Sequence, residues 1–206
     1  MASTSSPYGL RPINLLGGQG FAGSTRLYAI KSAYSVAIQF GDPVILTSGA
    51  SGTGGFVNRF NGTTTATTAT TSATLLGVFV GCTYTDATYG KVFKQNYTGS
   101  ITASDIQAYV VDDPDALFQC QFDGAATQNY LGSNAALIQT VAGSTSDNKI
   151  SGVGLQLSSA TSTATLPIRV VDFVNSATSA VGDAYTDVIV RINTHFMRTT
   201  TGNVIA

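Results

Sequence analysis

The apolar residues of this chain fall in short runs with a period of two, which points to strands and leaves little room for helices. Leu75-Leu76-Gly77-Val78-Phe79-Val80-Gly81-Cys82-Thr83-Tyr84 is the strongest run. Its two internal glycines mark a bulge, a bend or a close backbone approach. Residues 34–40 alternate large apolar with small or polar side chains, and residues 26–31 read as a partner strand. In residues 116–122, Phe118, Cys120 and Phe122 share one face. Further strands are expected at 44–46, 56–60, 91–98, 108–111, 150–157, 166–174 and 187–197, the 150–157 and 166–174 pair forming a long-looped hairpin. Part of the last strand is expected to be buried on both faces. One short helix is expected in residues 134–141. Gly41-Asp42-Pro43 and Asp112-Asp113-Pro114-Asp115 supply turn chemistry between the runs. The class is therefore mainly β, a β-sandwich, jelly-roll-like or barrel-like body.

Residues 1–24 read differently. Two prolines, Pro7 and Pro12, fix φ and remove donors, and a glycine-rich passage follows. The expectation is an extended N-terminal arm outside a single body of residues 25–206. The arm carries Tyr8, Leu10, Arg11, Pro12, Ile13, Leu15, Leu16 and Phe21 as partner contacts, ordering only on that partner. Fully extended it spans about 80 Å. Deleting residues 1–20 is then expected to leave the body folded. A second segment, 47–72, is almost pure Gly, Ser, Thr and Ala around 56–60 and reads as a flexible insertion.

Of 206 residues, 43% are hydrophobic but only 10% are charged, with a net charge of −1. An ordinary soluble domain carries about 25% charged residues. So few charges oppose association only weakly, which favours a protein that works packed against neighbours. Basic residues occur singly, so no phosphate-binding surface is expected and nucleic acid is not an expected direct partner. No apolar run reaches the ~20 residues of a membrane span, so synthesis in a cytoplasm is expected and a membrane is not. Cys82 and Cys120 lie in apolar strands and are expected to be buried free thiols.

Motifs for chemistry are sparse. Gly18-Gln19-Gly20-Phe21-Ala22-Gly23 matches G-x-G-x-x-G, with Asp42 about 20 residues on. A dinucleotide site needs strand, turn, helix and a second parallel strand, and the period-two runs do not supply them. His195 is the only histidine, placed at a strand end as a structural or interface residue. Asp112, Asp113 and Asp115 read as turn residues ahead of calcium ligands. No enzyme, cofactor or metal site is expected.

Tyr8-Gly9-Leu10-Arg11-Pro12, the glycine-rich passage and Gly41-Asp42-Pro43-Val44 resemble the cement, or decoration, proteins of tailed bacteriophages. Residues 75–84, Phe118-Gln119-Cys120-Gln121-Phe122 and Leu166-Pro167-Ile168-Arg169-Val170 extend the similarity. The resemblance implies a virion protein on the capsid exterior, often a homotrimer, that binds the major capsid protein and clamps neighbouring capsomers. It implies no catalytic residues. Alternatives are a head-fibre base, a tail-tube subunit, or a carbohydrate-binding β-sandwich stacking sugars on Tyr84, Tyr89, Tyr97 or Tyr130.

Overall fold

A computed structural model describes residues 4–47, 54–60, 74–139 and 149–198. The protein is mainly β. The strands are β1 (Arg11–Leu15), β2 (Arg26–Ala29), β3 (Pro43–Leu46), β4 (Val57–Arg59), β5 (Gly77–Asp86) and β6 (Gly90–Lys94), then β7 (Gln107–Val111), β8 (Ala116–Gln121), β9 (Asn134–Gln139), β10 (Val153–Thr161), β11 (Ile168–Phe173) and β12 (Asp187–Ile192). Helix among the described residues is confined to two 3-10 turns, Gln128–Tyr130 and Phe196–Arg198.

Two antiparallel sheets result. Sheet 1 has the order β1-β8-β12-β11-β9-β10, and sheet 2 the order β2-β7-β5-β3-β4 with β6 also on β5. Sheet 1 curls until β10 meets the far end of β8, Leu155 bridging Phe122 just beyond that strand, with Asp123 N–H donating to the Leu155 carbonyl at 3.0 Å. Phe118, Cys120 and Phe122 line its interior with Leu137, Leu155, Ile168, Val170, Val188 and Val190. Period-two alternation puts every second side chain of each strand into that interior. Phe60, Leu75, Val78 and Val111 bring sheet 2 against the same core.

The opposite face of sheet 2 holds a second core. Phe79, Cys82, Tyr84, Ala108 and Val110 are covered there by irregular chain carrying Ile30, Ile38, Tyr97 and Ile106. The alternating run 34–40 belongs to this cover and is not a strand, its ladder pairing limited to isolated bridges from Ile38 to Tyr97 and Phe40 to Ile150. Alternation there reports a chain lying across a core, with Tyr34 stacked on Tyr97 at 6.0 Å. β2 accordingly pairs with β7.

Three further expectations are corrected. Residues 134–139 form strand β9, because pairing with β10 on one side and β11 on the other outweighs the helix propensity of Ala135-Ala136-Leu137. β10 and β11 are not a hairpin, since β9 lies between them. The arm is part of the body: β1 pairs with β8, from Arg11 opposite Gln119 to Leu15 opposite Ala116. The Gly/Thr-rich insertion at 47–72 lies largely outside the described residues.

Candidate attachment surface

The N-terminal residues divide into an anchor, an edge strand and a turn. Thr4 to Tyr8 are pinned to the outside of sheet 1. Ser6 N–H donates to Gln121 Oε1 at 2.9 Å, Gln121 Nε2 to the Thr4 carbonyl at 3.3 Å, and the Tyr8 hydroxyl to Asp187 Oδ1 at 3.1 Å. Burial first, and then the Asp187 carboxylate, raise the Tyr8 phenol well above its ordinary range. Burial likewise raises Asp187, against the hydrogen bonds from Tyr8 and Gln121 that lower it.

Gly9 and Leu10 then enter a four-way junction. Gly9 N–H donates to the Val153 carbonyl, Leu10 N–H to the Gly41 carbonyl, and Gly41 N–H to the Phe79 carbonyl, at 2.9–3.0 Å. Both glycines have positive φ, 77° and 88°, which only glycine adopts without cost. A Cβ on Gly9 would lie 2.5 Å from the Gly41 carbonyl oxygen. The Tyr8–Pro12 and Gly41–Val44 stretches thus form one packed unit. Leu10 is completely buried, so it is corrected from partner contact to core residue. Beside the junction, Asp42 is fully enclosed, accepts the Gln39 N–H and lies 3.1 Å from Arg59 Nε. Burial raises the Asp42 carboxyl more than Arg59 and Gln39 lower it.

Beyond Leu10 the strand is an edge, which suits Pro12 with its missing donor. Ile13 sits at a bulge, and residues 16–20 turn back so that Phe21 N–H reaches the Ile13 carbonyl. The Gly18–Gly23 motif therefore forms a hairpin turn with no helix behind it. Leu15 and Phe21 pack on the core. Arg11 and Leu16 are exposed, and Leu16 lines a depression of about 460 Å³ with Leu15, Gly17, Gln19, Asp113 and Asp115.

A second apolar surface lies on sheet 2. β5 bulges between Phe79 and Gly81, which turns Gly81, Thr83 and Thr85 away from the second core. Leu27 of β2, Tyr109 of β7 and Gly81 of β5 then lie in line across three strands, and Phe93 of β6, paired with Thr83, reaches diagonally to the end of that row. Phe93 lies over Gly81, where a Cβ would come 2.8 Å from its ring, and meets Tyr109 edge-on at 5.6 Å. Leu27 is 54% and Phe93 63% exposed. Sequence reasoning placed these residues on strands but missed the patch. The local signal was a Phe between Lys91 and Lys94, on a strand whose charged ends forbid full burial.

The remaining candidates are accounted for by protein partners. Asp112 accepts the Tyr28 hydroxyl at 2.6 Å and pairs with Arg26, Asp113 accepts the Asp115 N–H, and Asp115 pairs with Arg198. Cys82 and Cys120 are free and lie in different cores, burial pushing their thiols up to about 11 and about 12. Tyr84 and Tyr97 are buried and Tyr130 packs on the core, so the four tyrosines form no common stacking platform. Among the described residues no cluster of His, Cys, Asp and Glu is arranged to hold a metal ion. No helix there is long and apolar enough to cross a membrane.

Compared with protein-family models, curated proteins and solved structures, the chain finds no match.

Proposed function

We propose that this protein is a structural subunit of a phage particle that binds the capsid exterior and bridges neighbouring capsomers. The observation that carries the reading is the apolar surface of Leu27, Tyr109 and Phe93, with Leu27 and Phe93 exposed and Tyr109 half-buried between them, on a β body with few charges. The resemblance of Tyr8–Pro12 and Gly41–Val44 to decoration proteins supports it further, since the two stretches act as one structural unit. In this reading the major capsid protein covers the row, and the exposed turn at Leu16 makes a secondary contact. A homotrimer on a three-fold position presents three such rows, so weak contacts combine by avidity.

The test is co-sedimentation with purified heads, paired with light scattering for the oligomer. Phe93→Ser lowers folding stability by no more than about 1 kcal/mol, because this largely exposed side chain gives up mainly its cross-strand contact with Tyr109. It lowers head binding at least about tenfold, the loss of one anchoring aromatic. Undiminished binding by the variant, or no binding by the wild type, overturns the reading.

A further inference from the structure

His195 is completely buried where the two sheets are tied together. It follows β12 of sheet 1 and makes a parallel bridge to Leu75, two residues before β5 of sheet 2. Leu75 N–H donates to the Thr194 carbonyl at 2.9 Å, and Phe196 N–H donates to the Leu75 carbonyl at 2.8 Å. The imidazole closes the turn that follows, Nδ1 accepting the Met197 N–H at 3.1 Å while the His195 carbonyl accepts the Arg198 N–H. Nε2 is buried and has no hydrogen-bond partner among the described residues.

This geometry allows one protonation state. Nδ1 must be an acceptor, so the single proton sits on Nε2 and the ring is neutral. A second proton turns Nδ1 into a donor facing the Met197 donor, and places a charge where no water reaches. The charged groups acting on the ring oppose one another. Asp112, Asp113 and Asp115 favour its charged form, whereas Arg198, on the turn itself, disfavours it. Asp112 and Asp115 already carry cationic partners, Arg26 and Arg198. Burial is the largest influence and lowers the imidazole below its ordinary value of 6.5.

We propose that His195 is an acid-released latch: taking up a proton frees the Phe196–Arg198 turn from Leu75 and uncouples the sheets at this joint. Elsewhere each sheet stays paired. The sign follows from linkage. A histidine held neutral in the closed state stabilises it fully above the ordinary value, and that stabilisation is lost as pH falls through 6.5 toward the lowered value.

The test is amide hydrogen exchange, corrected for its intrinsic pH dependence, between about pH 7.5 and about pH 5.5. Opening at Leu75, Phe196 and Arg198 rises about tenfold by one unit below the ordinary histidine value. Phe79 and Phe122, bonded inside their own sheets, keep their protection. His195→Asn retains an acceptor near Nδ1 but takes no proton, and its profile is flat. Constant protection at the joint, the same rise in His195→Asn, or loss in step at Phe79 and Phe122 overturns the latch. Should the variant fail to fold, the wild type decides: it has one histidine, so its imidazole resonance needs no assignment. Titration at or above 6.5 also overturns the proposal.

Discussion

Gly9 shows how a single residue is fixed by its surroundings. Its φ of 77° is costly for any other residue, by about 1–2 kcal/mol. Its missing Cβ also leaves room for the Gly41 carbonyl and the Ser151 side chain, each 2.5 Å from where that carbon would sit. Gly18 has nearly the same φ, 79°, but faces open space. Gly18→Ala is therefore expected to lose only the conformational part, about 1–2 kcal/mol. Gly9→Ala adds an overpacking cost and loses about 2–5 kcal/mol. Chemical denaturation of the two variants side by side checks the difference, and equal losses would mean the junction yields easily. At this scale sequence was a partial guide. The Gly41-Asp42-Pro43 turn was legible because its chemistry is local, with Asp42 accepting the Gln39 amide three residues back. Arg59 as the partner of Asp42, and Val153 as the partner of Gly9, were not, since nothing near either residue encodes a distant contact.

Among the elements, the strands read best were those whose pattern had one cause. Residues 116–122 alternate because one face lines sheet 1, and β5 carries its glycine at a bulge. The pattern of β9 imitates a helix because both its faces are buried, which erases alternation and leaves an alanine-rich string. The pattern of β1 imitates a detached arm because proline and glycine signal irregular chain, while an edge position tolerates both. The correction reverses one expectation about truncation. Leu10 fills the core and residues 4–9 hold β8, β10 and β12 from outside. Removing residues 1–10 is expected to lower stability by roughly 3 kcal/mol or more, beginning from the 2–5 kcal/mol typical of losing one buried leucine. A denaturation midpoint unchanged by the truncation would restore the picture of a dispensable arm.

For the whole molecule, the two sheets treat their edges in opposite ways. Sheet 1 meets itself through β10 and has its β1 edge turned back on residues 16–21, whereas β2, β4 and β6 of sheet 2 pair on one side only among the described residues. Three of the four lysines sit on or beside those edges, Lys31 after β2 and Lys91 and Lys94 on β6. Charge on an open edge discourages strand-to-strand association, and it matters more in a chain with so few charges. Lys91→Thr combined with Lys94→Thr is expected to fold and then to self-associate as concentration rises, visible as growth in scattering mass. A variant that keeps the wild-type mass at every concentration would show that β6 needs no such guard. The junction at Gly9 also sets an order of assembly during synthesis. Its partner Val153 leaves the ribosome about 10–30 s after Gly9 at ordinary elongation rates. Gly9 and Leu10 thus wait for a segment made much later in the chain. Until then Leu10, Leu15 and Phe21 lie open to the same slot on a neighbouring nascent copy, where exchange of N-terminal strands between chains would begin.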